Sequence, residues 1–199
     1  MKSCFLILLC LTISFPAYCG GRIANDNPNI DSASLSVSLV YFNNQLSPIT
    51  FTKVLLKKNG IIVDSSDTGI TGQVIFTNLP SGTYQCIPKC TKPWGGANAT
   101  DAQAVERNFV HISNFYLIGI KLWAAEINGI GATPGALDAL LIVRRFADII
   151  PNFMPPGVLP GQPDWKYETI NIVISENGTF YQQIKMLCTG DVNGSYIPY

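Results

Sequence analysis

The 199-residue chain has little of what most catalysts use. It contains one histidine, His111, so a Ser–His or Cys–His pair has a single candidate base. That histidine falls near the end of a predicted helix, where an imidazole simply suits the dipole. Charged residues make up 13% of the chain and the formal net charge is +0. There is no basic stripe, which argues against nucleic acid as a partner. Gly95-Gly96 is too short to cradle a phosphate. Scarce histidine and cysteine disfavour zinc. No paired-carboxylate or nucleophile signature stands out, so the chain reads as a non-enzyme.

Long apolar runs are also missing, except at the start. Met1-Lys2 precedes the apolar stretch Cys4–Phe15, and Pro16-Ala-Tyr-Cys19-Gly-Gly21 supplies small residues at a plausible cleavage point. This pattern predicts a secretory signal peptide over residues 1–19, too short to span a bilayer comfortably. Lipidation at Cys19 is the alternative, against which stands the bulk of Tyr18. With no other transmembrane candidate, the mature chain is expected to be secreted, extracellular or held at the cell surface. Export places Cys86, Cys90 and Cys188 in an oxidising compartment, where two of the three could pair.

Residues 20–32 are Asn/Asp-rich and read as a linker. From Ser34 the chain alternates, with Leu35, Val37, Leu39 and Tyr41 on one face, as a half-buried strand does. Asn59-Gly60 between apolar runs is a strong hairpin signal. Further turns at Asp67–Gly72 and Asn78–Gly82 separate more short strands, a β-sandwich pattern over residues 33–91. Phe76-Thr-Asn-Leu-Pro-Ser-Gly-Thr-Tyr84 resembles the strand–turn–strand of prealbumin-like sandwiches, the carboxypeptidase-regulatory-like and Cna-B-type modules of bacterial surface proteins. The resemblance implies a spacer or stalk.

Residues 92–150 carry an internal repeat. Asp101-Ala-x-x-Val-x-Arg107-x-Phe109 returns as Asp138-Ala-x-x-Ile-x-Arg144-x-Phe146. The aspartates are 37 residues apart (138 − 101). Asn98 or Thr100 caps the first predicted helix. Residues 116–127 read as a buried helix and 135–150 as a third. Ahead of the second copy stands Glu126-Ile-Asn128-Gly129, an echo of the calcium-loop opening Asp-x-Asn-x-Asp-Gly. The fragment reappears at the C-terminus as Asp191-Val-Asn193-Gly-Ser195. After a Pro/Gly-rich loop over 151–165, residues 166–199 read as a hairpin around Asn177-Gly178, followed by that fragment.

These motifs together are similar to the dockerin-type repeats of secreted Bacteroidetes proteins, over about residues 92–150 and 188–199. The resemblance implies Ca²⁺-bound loops and helices that dock onto a cohesin-like or other surface protein. The fold class expected is α+β: an antiparallel prealbumin-like β-sandwich, a dockerin-like two-repeat helical unit and a C-terminal β-hairpin. Loop by loop the fit is uneven. Glu126, Asn128 and Asp138 form a weaker second loop, because Ile130 at position five cannot ligate. The first repeat lacks its front half, which the tail can supply. Asp191, Asn193 and Ser195 would then meet Asn98 and Asp101 in one split cradle of hard oxygens that suits Ca²⁺. A Cys90–Cys188 disulfide would staple the two halves, with Cys86 as the competing partner.

The function expected is a secreted, non-catalytic, calcium-stabilised interaction module that tethers or assembles surface proteins. The alternatives are a purely structural stalk or fibre component, and a carbohydrate-binding accessory of a polysaccharide-degrading system. A symmetric, exposed face on the two repeat helices favours docking, burial of both against the sheet favours the stalk, and an exposed aromatic strip in a groove favours sugar.

Overall fold

Strand β1 (Ala33–Tyr41) sets the frame. Its alternating residues Leu35, Val37, Leu39 and Tyr41 are fully buried, as the period of two requires when one face packs on a core. The computed structural model describes residues 33–130, 133–153 and 163–198. The expected signal peptide, Cys19, the linker 20–32 and most of the Pro/Gly-rich loop lie outside the described residues.

Four more strands follow: β2 (Lys53–Lys58), β3 (Ile61–Asp67), β4 (Gln73–Leu79) and β5 (Gly82–Lys89). The Asn59-Gly60 turn joins β2 to β3 as an antiparallel hairpin. Both turn residues have positive φ, 52° and 80°, the condition that makes Asn-Gly favourable there. Three short helices come next, α1 (Ala99–Phe109), α2 (Ile120–Ala125) and α3 (Ala136–Phe146), then β6 (Trp165–Tyr167), β7 (Asn171–Ile174) and β8 (Thr179–Cys188).

The strands form two four-stranded sheets, ordered β4-β1-β8-β6 and β3-β2-β5-β7. Tyr41, Phe76, Ile184 and Met186 of the first sheet and Leu56, Tyr84 and Ile174 of the second are among its most deeply buried side chains. Within the described residues no helix is long and apolar enough to cross a membrane.

Three features correct the expected fold class. First, there is no helical unit standing beside a sandwich. The helices contribute segments of 11, 6 and 11 residues between β5 and β6, and their buried residues Val105, Ile120, Ala124 and Ile142 belong to the same core as the strands. Second, β7 and β8 are not a hairpin. β7 pairs with β5 in one sheet and β8 with β1 in the other. The Asn177-Gly178 segment therefore bridges the sheets, with Gly178 at φ 143° accepting a hydrogen bond from the Ser34 N–H. Third, the sandwich is not wholly antiparallel: β8 runs parallel to β1 through the middle of its sheet. The second predicted helix also shrinks. Gly119 at φ 56° precedes it, and Tyr116 and Ile118 lie outside it, exposed.

Candidate functional site

Both repeat helices begin in the same way. Asn98 is the N-cap of α1: its side chain accepts from the Thr100 N–H, while the Asp101 Oδ2 accepts from the Asn98 N–H at 2.9 Å. At α3, 37 residues on, Gly135 is the N-cap and the Asp138 Oδ2 accepts its N–H at 2.8 Å. This is a capping-box arrangement with aspartate as the reaching residue, and it satisfies N–H groups that a helix start leaves open. The helices end alike as well, with His111 and Asp148 at φ 54° and 55° just past their C-caps. The repeat in the sequence is thus a repeat of backbone geometry.

Each aspartate also closes a second segment onto its helix. Asp138 Oδ1 accepts the N–H groups of Ile127 and Asn128 at 2.8 and 2.9 Å, and Oδ2 accepts from Asn128 Nδ2 at 3.1 Å. Asp101 Oδ1 accepts the Asn193 N–H at 2.9 Å, and the Val192 N–H also points to this carboxylate. Glu126-Ile-Asn-Gly and Asp191-Val-Asn-Gly therefore play matching parts. The structure brings Asp191, Asn193 and Ser195 to Asn98 and Asp101, with the Ser195 hydroxyl donating to the Gly96 carbonyl at 3.0 Å. It likewise brings Glu126 and Asn128 to Asp138.

Asp191 is fully buried and ties this tail to the sandwich. Its Oδ1 accepts the Ser195 N–H at 3.0 Å. Its Oδ2 accepts the Tyr196 N–H at 3.0 Å and the Tyr41 hydroxyl at 2.6 Å. The Tyr41 oxygen in turn accepts the Cys188 N–H at 3.1 Å. Burial, with Cys188 and Asp191 adding to it, pushes the Tyr41 phenol far above its ordinary range, so it stays a neutral donor. Gly96 leaves room for this carboxylate. It sits at φ 89°, and a Cβ there would collide with Asp191. Burial pushes Asp101 up to about 6, and Asp191 adds to the rise, while the N–H donors of Asn193, Asn98 and Val192 oppose it. Burial also raises the Glu126 carboxyl, with Asp138 adding to it.

The donor set does not fit Ca²⁺ as these residues are placed. A calcium loop needs six to eight oxygens free to turn toward the ion. Here both oxygens of Asp101, Asp138 and Asp191 already face N–H or O–H donors. Asn98 is occupied as a cap, and its Nδ2 donates to the Gly96 carbonyl. Asn193 and Ser195 are exposed. In the second loop only Glu126 Oε2 is buried without a partner, and Ile130 offers no side-chain oxygen. Among the described residues no group of three or more His, Cys, Asp or Glu side chains is arranged to hold a metal ion.

Nor is the expected staple present: Cys86, Cys90 and Cys188 are all free thiols. Cys188 closes β8 inside the core, where burial pushes its thiol up to about 12 while a Gly95 N–H hydrogen bond opposes the rise. Cys90 Sγ faces the Thr52 hydroxyl instead, at 3.9 Å. The tail is held by hydrogen bonds and rings, not by a covalent bridge.

Sequence reasoning missed Tyr41, Gly96, Tyr196 and Arg145. Tyr41 carried a signal: a tyrosine on the apolar face of an alternating strand must find a partner for its hydroxyl. Its ring meets those of Trp165 and Tyr196 edge-on, each at 5.7 Å. Arg145 is buried, lies over the Trp94 ring at 3.5 Å and pairs with Asp164 at 2.8 Å. Trp94 and Trp165 are therefore junction residues. Their indole N–H groups donate to the Thr189 and Lys92 carbonyls. Compared with known families and characterised proteins, the chain matches no family model and no curated sequence.

Proposed function

We propose that this chain is an exported, non-catalytic interaction module that joins another exported protein through the outward faces of its repeat helices. The observation that carries the reading is the apolar surface of α3. Leu137, Leu140, Val143 and Phe146 recur at helical spacing, yet stand 40–54% exposed. Phe109, at the end of α1, extends that surface. Its ring lies beside Gly135 at the start of α3 and is itself half exposed. Scattered exposed apolar residues need no explanation, but a contiguous set on one helix marks a contact surface. The inner faces of both helices are buried, so the helices are fixed supports for that surface and not mobile appendages.

The partner that suits this face has an apolar contact surface of its own, since Arg144 and Asp148 leave the rim nearly neutral. The aspartate closures keep α1 and α3 in register without a metal. The test is site-specific photo-crosslinking from position 140 on the cell that makes the protein, then reconstitution with the captured partner. Leu140→Glu is expected to weaken the reconstituted complex at least tenfold with an unchanged melting temperature. Capture of a second copy of this chain alone, or full binding by Leu140→Glu, overturns the reading.

A further inference from the structure

Between α1, the segment that follows it and the tail lies an open groove of about 300 Å³. Its lining includes Thr100, Gln103, Arg107, Tyr116, Lys121 and Asn193. That volume is at the lower end of the roughly 300–1,000 Å³ range of small-molecule sites. No aspartate or glutamate lines it, and two cations do. In a chain of formal net charge +0 such a concentration is local design, not background. Among the described residues neither Arg107 nor Lys121 forms a salt bridge. The Arg107 guanidinium lies over the Phe115 ring, 4.7 Å from its centroid. Its five N–H donors suit a carboxylate, which a guanidinium can bind bidentately. The Lys121 ammonium is set over the Phe42 ring at 5.6 Å.

The rest of the lining suits a polyhydroxylated ring. Thr100, Gln103 and Asn193 supply a hydroxyl and two amides, each able to donate and accept. Tyr116 is 65% exposed and offers a flat apolar face with a polar tip. The buried carboxylates of Asp101 and Asp191 lie behind Asn193, but their oxygens face inward N–H and O–H donors. We propose that this groove is a binding site for a carboxylate-bearing saccharide, with Arg107 and Lys121 holding the acid group and Tyr116 stacking on the sugar ring. The site uses different residues from the α3 docking face and does not depend on it.

The test uses the full exported chain and tri-galacturonate as probe, with maltotriose and a tripeptide bearing a free C-terminal carboxylate as controls, followed by NMR shift perturbation and calorimetry. Tri-galacturonate is expected to shift Tyr116 and Asn193 resonances, and its affinity should fall as salt is raised. Arg107→Gln and Lys121→Gln should each weaken it at least fivefold, with Arg107→Lys retaining part of the affinity. Lys121→Gln and Tyr116→Ala are at exposed or half-buried positions, so they keep the test decisive should Arg107→Gln disturb the fold. Equal binding of maltotriose, preference for the peptide, no saturable shift, or unchanged affinity in the Lys121 and Tyr116 variants each overturns the proposal.

Discussion

Removing one oxygen atom from Tyr41 should loosen the whole C-terminal tail. In Tyr41→Phe the Asp191 carboxylate loses a hydroxyl donor at 2.6 Å, and the Cys188 N–H loses its acceptor at 3.1 Å. A buried hydrogen bond to a charged group contributes roughly 1.5–3 kcal/mol, and an orphaned buried N–H costs about 1–3 kcal/mol. The tail's remaining contacts persist, so the loss should be about 3–5 kcal/mol, a large part of the ~5–15 kcal/mol available to a domain. Asp191→Asn keeps the shape but turns one acceptor into a donor facing other donors. The double variant then isolates the shared bond, and its coupling should be about 1.5–3 kcal/mol. Urea unfolding of the full chain, followed by tryptophan fluorescence, is the assay. Trp165 meets the Tyr41 ring edge-on at 5.7 Å and reports from beside the bond. At an m-value of about 2 kcal/mol/M, the single variant should move the midpoint by roughly 1.5–2.5 M. A loss under ~1 kcal/mol, or a coupling near zero, would refute the claim that this bond anchors the tail.

Chelation supplies a second check. Because the aspartate oxygens already face N–H donors, melting temperatures with chelator and with millimolar Ca²⁺ should agree. Calcium binding at 100 times its Kd would add about 2.7 kcal/mol, an upward shift plain in calorimetry that would restore the metal. Acidity gives a third. Folded Asp101 titrates at about 6 against 3.8 unfolded, so between those values the native state holds a proton that the unfolded chain has released. Its contribution is therefore fully present below about 3.8 and lost as pH rises through 6. Asp101→Asn should flatten that part of the stability–pH curve, and an unaltered slope would assign it to other groups. Thiol alkylation is the fourth. Burial pushes Cys86 and Cys188 up to about 12, while Cys90 is only partly buried. At pH 8 Cys90 should react first and the other two only on unfolding, as mass spectrometry of the labelled sites would show; equal reactivity contradicts the buried placement.

Local patterns that the sequence displays survived where they describe local geometry. The alternation of β1, the Asn59-Gly60 hairpin and the Asn98 cap are each decided by neighbours within a few residues. The same dipeptide misled at Asn177-Gly178. At residues 59 and 60 both φ values are positive, as a two-residue turn needs, whereas Asn177 is not among the positive-φ residues. Asn-Gly permits the tight turn without compelling it. What compels the alternative is burial: Ile172 and Ile174 face the core from one sheet, and Ile184, Met186 and Cys188 face it from the other. Such pairing is a property of the assembled sandwich and has no local signature. The meeting of the tail with Asn98 and Asp101 was readable because Glu126-Ile-Asn-Gly and Asp191-Val-Asn-Gly share one pattern, an acid two residues before Asn-Gly. What fills the junction was not, because the same carboxylates can face a cation or a row of N–H groups, and only geometry distinguishes them.

The parallel placement of β8 explains why the tail needs such a closure. β8 pairs with β1 from Thr179 to Met186 and with β6 only over Met186–Cys188, and beyond Cys188 the chain continues outside any strand. Thr189, Gly190, Asp191 and Val192 are nevertheless buried. Their backbone groups must find partners, since orphaned ones are costly. They find them in the helical insertion: Gly190 N–H donates to the Ala124 carbonyl, and Thr189 N–H to that of Asp164. The Val192 and Asn193 N–H groups reach Asp101, at the start of α1. The helices and the last strand thus complete one another across 92 residues of sequence. Closing contacts so distant in sequence slows folding. The first repeat helix in the middle of the chain is in this sense the seal on its end.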